Sequence, residues 1–157
     1  MAGKNHIERS FRLWWDDAGT GSGTARDLSG DLVPGSVSGG GLTFDEAEMT
    51  GVSNLVKNFL AGHAQSVISA RFHMNDTATT GATTVLNGST PSATVAGIGT
   101  LTLQWGQSGA APTTSDPEWE GEYVLIKNEI TLDGNKFVHD CEWRPTGSTA
   151  PAWGTVS

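Results

Sequence analysis

Residues 122–144 read EYVLIKNEITLDGNKFVHDCEWR, two strand-like runs on either side of Asp133-Gly134. An Asp-Gly pair between such runs is a strong β-hairpin signal, because both central residues of a type I′ turn need positive φ. A two-residue loop at this pair places Leu132 opposite Asn135 and Lys127 opposite Asp140, an attractive cross-strand pair. The same register puts six side chains on one face, Val124, Ile126, Ile130, Phe137, Cys141 and Trp143. Turn chemistry and hydrophobic pattern agree on this register.

The hairpin is long for a chain of this size. From Glu122 to Asp133 it spans roughly 35–40 Å at about 3.3 Å per residue. A two-stranded ribbon is marginally stable in water and leaves two open edges. Pairing with neighbouring molecules satisfies those edges, so we interpret the six-residue face as a candidate assembly hairpin. The alternation slips before Tyr123, which predicts a β-bulge at Gly121.

Other strands have the same alternating pattern. Phe11, Leu13 and Trp15 share one face of a strand at 11–16, and residues 65–74 and 100–105 alternate again. Shorter strand candidates lie near 31–33 and 42–46. Polar and glycine-rich segments predict loops at 18–25, 33–41, 75–94 and 107–117, and residues 1–9 read as a flexible N-terminal arm.

One helix is predicted, over residues 53–62. Ser53 is a suitable N-cap, the side chains of Leu55, Val56, Phe59 and Leu60 make one apolar stripe, and Gly62 ends the helix. So short a helix is unstable alone, so its stripe has to dock on something larger. The expected fold is mainly β, a β-sandwich or barrel with one short flanking helix and a long β-hairpin, in a single domain over 1–157.

Composition narrows the class of protein. The chain has 157 residues, of which 36% are hydrophobic and 17% charged, and 21 are glycine. No apolar run approaches the roughly 18–20 residues of a membrane helix, and the N-terminus lacks the pattern of a secretory signal. Cys141 is the only cysteine, so no intrachain disulfide can form, which is compatible with a reducing compartment such as bacterial cytoplasm.

The charge pattern argues against tight DNA binding. The net charge is −8, whereas proteins that grip nucleic acid neutralise phosphates with Lys and Arg. Most of the excess lies between Asp116 and Glu142, where Lys127 and Lys136 are the only basic residues. We interpret six of the acids as a candidate acidic wall along which phosphate backbones slide without sticking: Glu118, Glu120, Glu122, Glu129, Asp140 and Glu142. Simple solubility is the alternative explanation.

Sites for chemistry are weak in this sequence. Gly19, Gly21 and Gly23 do not match a phosphate-binding loop. His139 and Cys141 share a strand face, but a zinc site takes three or four ligands. No serine lies in a nucleophile-elbow pattern, and the stripe Glu118, Glu120 and Glu122 is more typical of a solvated or pore-facing surface than of a glycosidase pair. We therefore expect no catalytic residue, cofactor or metal.

Six tryptophans leave one binding function open. Trp14, Trp15, Trp119 and Trp153 could stack on sugars, as in a carbohydrate-binding β-sandwich module. Core or interface packing is the more common use of tryptophan and is favoured here.

Residues 26–76 carry a resemblance to a known family. They hold Asp27-Leu28-Ser29, a glycine-rich stretch, the run LTFDEAEMTG over 42–51, the segment NFLAG over 58–62 and the strand VISARF over 67–72. This order resembles the tail tube (major tail) protein family of siphophages. Met49-Thr50-Gly51 departs from it, since an aromatic residue or Phe-Gly is expected there.

The resemblance implies a non-enzymatic virion protein. It implies a β-sandwich with one helix that assembles into hexameric rings stacked as a tube, with long hairpins joining into an inner barrel. The implied partners are copies of itself, other tail proteins such as the tape measure and terminator, and viral DNA passing through without specific binding. Membranes are not implied. The implied location is the phage tail, assembled in the host's bacterial cytoplasm. A head-decoration or tail-terminator subunit remains the alternative within virions.

Overall fold

The computed structural model describes residues 10–16, 24–53, 55–57, 59–107 and 109–157. Its strands and helices, in chain order, are β1 (Phe11–Asp16), β2 (Ala25–Asp27), a 3-10 helix (Ser29–Asp31), β3 (Thr43–Glu48), β4 (Phe59–Gln65), β5 (Ile68–His73), α1 (Ala82–Ser89), β6 (Ile98–Trp105), β7 (Pro117–Asp133), β8 (Lys136–Pro145) and β9 (Ala152–Thr155). The predicted mainly β fold is confirmed. The single domain over 1–157 stays a prediction, and the predicted arm at 1–9 lies outside the described residues.

One antiparallel sheet builds the body of the molecule. Its strand order is β2-β1-β6-β7-β8-β5, and β9 pairs with the first residues of β7. The segment after β2 reaches the far edge of the sheet, where it bridges β5 through Leu32–Phe72 and Ser38–Ser69. The two ends of the sheet are therefore joined, and one face encloses the core as in a barrel.

Aromatic side chains fill the core, as the alternation in β1, β5 and β6 predicts. The ring of Trp143 lies 5.9 Å from Trp15 and 6.1 Å from Phe72, centroid to centroid. Trp119 donates a hydrogen bond to the Tyr123 hydroxyl at 2.9 Å. Burial raises the pKa of Tyr123, so this phenol stays neutral and serves as a fixed hydrogen-bonding group.

The helix predicted over 53–62 is wrong. Phe59–Gln65 is strand β4, which pairs with β3, and the helix of the structure lies instead at Ala82–Ser89 in the expected 75–94 loop. The apolar stripe read at 53–62 follows helical spacing, but its last residues extend along a partner strand. Cross-strand pairing thus overrides a weak local preference.

The helix α1 depends on distant groups for its start. Its sequence ATTVLNGS contains β-branched residues and a glycine, which disfavour helix. The carboxylate of Asp31 accepts a hydrogen bond from the Ala82 amide at 3.0 Å and two from the Asn75 side chain. Ala82, Val85, Leu86 and Ser89 then pack inward. No helix of the described residues is long and apolar enough to cross a membrane.

Two further strand predictions are corrected. Residues 29–31 form a 3-10 helix and only Leu32 makes a bridge, so the strand expected near 31–33 is absent from this described segment. The bulge expected at Gly121 is also wrong, because β6 and β7 pair without interruption across Leu101–Gly121. Gly121 is needed for a close approach instead: a Cβ there would lie 2.6 Å from Pro151.

Candidate assembly surfaces

The hairpin β3–β4 stands clear of the barrel. Its two strands pair only with each other within the described residues, and every residue of both strands is exposed. Its loop exposes Met49, Val52, Leu55 and Val56 as well. Phe44, Phe59 and Leu60 of the strands are 47%, 52% and 56% exposed. Many exposed large apolar side chains in one protruding element are typical of an interaction site.

A bulge distributes the apolar side chains of this hairpin over both of its faces. Phe44 pairs with Ala64, but Ala47 pairs with Leu60, because the register shifts between Phe44 and Glu46. Asp45 alone faces both Gly62 and His63, so the extra residue lies in β4. Phe44 therefore shares a face with Ala61 and Ala64, whereas Leu60 lies on the other face with Ala47. A Cβ at Gly62 would lie 3.1 Å from the Asp45 carbonyl, which shows how tightly the bulge is fitted.

The long hairpin β7–β8 is present, but its turn differs from the prediction. Asp133 pairs with Lys136 and Leu132 with Phe137, so the loop is Gly134-Asn135 and not Asp133-Gly134. Gly134 has φ of 63°, while Asn135 does not have positive φ. This matches a type II′ turn with glycine at its first central position, and it shifts the register of the whole hairpin.

A second bulge redistributes the candidate assembly residues. The β7–β8 register shifts between Leu125 and Lys127, which leaves Ile126 as the extra residue. Cys141 and Trp143 are buried, whereas Ile126, Ile130 and Phe137 are exposed and Val124 is half-buried on the opposite face. The prediction that all six share one face is therefore wrong. Beyond the core, the inner face carries Ile130, Leu132 and Phe137, which are 55%, 65% and 61% exposed; we call them the tip patch.

A buried polar cluster fixes the helix against this hairpin. His139 Nδ1 lies 2.8 Å from Asn128 Oδ1, and its Nε2 lies 3.0 Å from Thr83 Oγ1. The Asn128 side-chain amide in turn donates to Thr90 and Asn87. Burial lowers the pKa of His139, so the neutral ring, with Nδ1–H donating to Asn128, is the form that fits.

The six predicted acids lie on one face of the sheet, opposite the core. Glu118, Glu120 and Glu122 alternate with the buried Trp119, Gly121 and Tyr123. The bulge at Ile126 changes the parity of β7, so Glu129 joins the same face and pairs with Asp140. Glu142 follows two residues later in β8. The structure thus brings the six together on this face.

Neutral and basic neighbours hold these carboxylates in different ways. Glu118 accepts a hydrogen bond from Gln104 at 2.7 Å and Glu120 from Thr102 at 3.0 Å, and Thr146 donates to Glu122. Asp140 instead forms an ion pair with Lys127 at 2.7 Å, the contact predicted from the sequence despite the changed register. That hydrogen bond is the main reason that the pKa of Lys127 is raised.

The cysteine and two of the tryptophans considered for metal or sugar binding are buried in the core. Burial raises the pKa of the Cys141 thiol to about 12, which makes it unreactive. No group of three or more potential metal ligands exists among the described residues. Trp15 and Trp119 are fully buried and cannot stack on sugars, whereas Trp153 is exposed. The glycines considered for a phosphate loop, Gly19, Gly21 and Gly23, lie outside the described residues.

Comparison with solved structures finds chains that share this fold. A chain of an extracellular contractile injection system, the PVC sheath-tube complex in its extended state, matches with a TM-score of 0.59 and 14% identity over 98% of this chain and 93% of that one. The PVC sheath/tube terminator matches with a TM-score of 0.61 and 15% identity over 98% of both chains. The tail of an empty GTA particle with C6 symmetry matches at 0.51 and 14% identity, over 99% of this chain and all of that one. The chain has the fold of these tail components.

The match lies in the fold and not in the sequence. No family model matches, and a search of curated proteins finds no match. At 14–15% identity the shared residues are too few to transfer a function. The tail-type fold implied by residues 26–76 is confirmed, and what it assembles into is a separate question.

Proposed function

We propose that this chain is a non-enzymatic subunit of a phage-type tail tube, which self-assembles into stacked rings around a channel for DNA. The observation that carries the proposal is the hairpin β3–β4. A monomer would leave the apolar side chains of this hairpin and its loop in water at all times. The cost of that exposure is removed when another molecule covers them. The fold shared with tail and sheath–tube chains supports the same reading.

The ring number is proposed from symmetry. One structural neighbour is a tail with C6 symmetry, and a hexamer is what the resemblance of residues 26–76 implies. Long hairpins of adjacent subunits would pair edge to edge and form an inner barrel, which removes open strand edges. The proposed partners are other copies, the tape measure and terminator proteins, and DNA in transit, with no membrane. The proposed location is the phage tail, assembled in the cytoplasm of a bacterial host.

The acidic face is the proposed channel lining. Glu118, Glu120 and Glu122 are held by neutral donors, so their negative charge is not cancelled by these contacts. A lining of that kind repels phosphate and lets DNA pass without adhering. Lys127 and Arg144 offset part of the charge of the other three acids.

Electron microscopy tests assembly directly. Concentrated purified protein should show rings and tubes, and a protein that remains monomeric under every condition would refute the proposal. A tail terminator is the second candidate, because the PVC terminator shares the fold. It would give closed rings that do not stack, whereas a tube subunit stacks without limit.

Thiol labelling tests the channel lining. Glu120 is the exposed member of its stripe, and the unreactive Cys141 contributes little background. In the Glu120→Cys variant, a small maleimide should label free subunits and tubes alike. A maleimide carried on a globular protein should label free subunits but not the inside of long tubes. Equal labelling of tubes by the large reagent would place this face outside the channel.

A further inference from the structure

The helix α1 is a weak element that a polar network holds in place. Its sequence ATTVLNGS has little intrinsic preference for helix, and a helix so short is unstable alone. Connecting segments without strands, 74–81 and 90–97, flank it on both sides. The helix can therefore leave the sheet without breaking a strand pair.

His139 lies at the centre of that network. Its ring contacts Thr83 of α1 through Nε2 and Asn128 of β7 through Nδ1, and Asn128 donates in turn to Asn87 near the end of α1. Thr83 Oγ1 accepts a hydrogen bond from the Asn75 amide at 3.0 Å, so its hydroxyl hydrogen remains to donate to His139 Nε2. The neutral ring thus has one donor and one acceptor, each with a matching partner.

No charged group faces the His139 ring in the part of the chain that the structure describes. Its partners in the sheet are Phe72 of β5 and Ile130 of β7, and α1 contains no ionisable residue. Asp31, at the start of α1, is engaged by the Ala82 amide and the Asn75 side chain. The titratable residues at adjacent positions of the three strands project from the opposite face of the sheet: Arg71, His73, Lys127, Glu129 and Asp140.

A proton on His139 would therefore add a buried positive charge without a counter-charge. Burial is accordingly the cause that lowers the pKa of this ring. The charged ring would also turn Nε2 from an acceptor into a donor, so the hydroxyl of Thr83 would lose its acceptor. Both effects weaken the contact between α1 and β8.

We propose that His139 makes α1 a pH-operated latch, which opens in acid. The helix then lifts from the sheet and lets water reach the imidazolium. The row of the sheet in which Asn128 pairs with Cys141 is thereby exposed. Ile130 of the tip patch pairs with His139, so the uncovered apolar surface adjoins the tip patch. The latch acts within one subunit and does not depend on the proposed assembly.

Cys141 reports the position of α1, because it is the only cysteine and its Sγ lies 3.7 Å from Asn128 Oδ1. Its rate of reaction with dithiodipyridine, a disulfide reagent that stays active in acid, is measured at concentrations at which the chain is monomeric. This rate, divided by that of the urea-unfolded chain at the same pH, gives the fraction of open molecules. With the ordinary histidine pKa of 6.5 in the open form, this fraction should rise by up to about 30-fold from pH 8 to pH 5. Hydrogen exchange should show the same loss of protection in the amides of α1, while those of β6 stay protected.

The two faces of the sheet supply matched histidine variants. His139→Asn cannot take up a proton, so its open fraction should be nearly independent of pH. His73→Gln removes a histidine from the opposite face and should respond to pH as the parent chain does. Thr83→Val keeps the shape of its side chain but loses two hydrogen bonds, so it should raise the open fraction at pH 8 by roughly tenfold.

Each measurement has a result that would overturn the latch. Equal loss of protection in α1 and β6 would mean that acid unfolds the whole subunit. Constant reactivity of Cys141 between pH 8 and pH 5 would mean that α1 stays closed, and an unchanged pH response in His139→Asn would mean that another group controls it. If His139→Asn does not fold, Thr83→Val still decides, because an open fraction equal to that of the parent chain would contradict the role of the network.

Discussion

Two buried tryptophans in contact allow the contribution of one hydrogen bond to the free energy of unfolding to be measured. Trp15 and Trp143 are both fully buried and their rings lie 5.9 Å apart. Trp15 Nε1 donates to Ser89 Oγ at 2.9 Å, whereas Trp143 Nε1 has no hydrogen-bond partner among the described residues. Replacing each by phenylalanine removes the same atoms from the same core, so the loss of volume largely cancels between Trp15→Phe and Trp143→Phe.

The remaining difference comes from the indole N–H. Trp15→Phe loses a hydrogen bond with a net contribution of about 0.5–1.5 kcal/mol. Trp143→Phe removes a buried donor whose desolvation costs about 1–3 kcal/mol. Trp15→Phe should therefore be the more destabilising by about 2–4 kcal/mol. For a chain of this length that corresponds to roughly 5–15 °C in Tm.

Urea unfolding followed by circular dichroism measures the free energy of unfolding of both variants. The protein concentration is kept below the one at which the chain assembles. The double variant shows whether the two sites are independent, because residues in contact commonly deviate from additivity by about 0.5–3 kcal/mol. Equal destabilisation by the two substitutions, or a larger cost for Trp143→Phe, would refute the assignment of an unpaired indole N–H in this core.

Three further predictions concern pH, packing and capping. Because the folded pKa of His139 lies below the ordinary value of 6.5, the unfolded chain binds more protons as pH falls below that value. The free energy of unfolding, measured in urea, should fall below pH 6.5 and stay level above pH 7, and His139→Asn should flatten this slope. Gly121→Ala should cost about 1–3 kcal/mol through its clash with Pro151, while Gly154→Ala, in open space, should leave Tm nearly unchanged. Asp31→Ala should cost about 1–2 kcal/mol and reduce helical ellipticity, because α1 loses its N-terminal acceptor.

Strands with one buried face could be predicted from the sequence, because the alternation of buried and exposed side chains is a local property of a strand. Phe11, Leu13 and Trp15 are buried as predicted, and they alternate with half-buried neighbours. The ion pair of Lys127 with Asp140 was also predicted. It forms in the shifted register because two long or flexible side chains on one sheet face can meet diagonally.

The positions of the bulges could not be predicted from the sequence. The insertion at Ile126 flips the parity of β7, so it moves Ile130 to the core side and Glu129 to the acidic side. Nothing local marks it, since isoleucine fits a regular strand equally well. The bulge in β4 opposite Asp45, which sets the faces of Phe44 and Leu60, is likewise unmarked in the sequence. A signal was present in the stripe of Ala82, Val85, Leu86 and Ser89, which has helical spacing, but the polar composition of 75–94 concealed it.

The sequence by itself determined the β class, the strands with one buried face, the long hairpin and the excess of acid between Asp116 and Glu142. These features follow from side-chain periodicity and charge, which do not depend on distant neighbours. Tertiary structure decided which faces are left uncovered. The start of α1 depends on Asp31, 51 residues before it. The tip patch exists because the bulge at Ile126 sets the parity of β7. Strand register therefore determines which surfaces are free for assembly. A shift of one residue moves all the apolar side chains of a strand from one side of the sheet to the other.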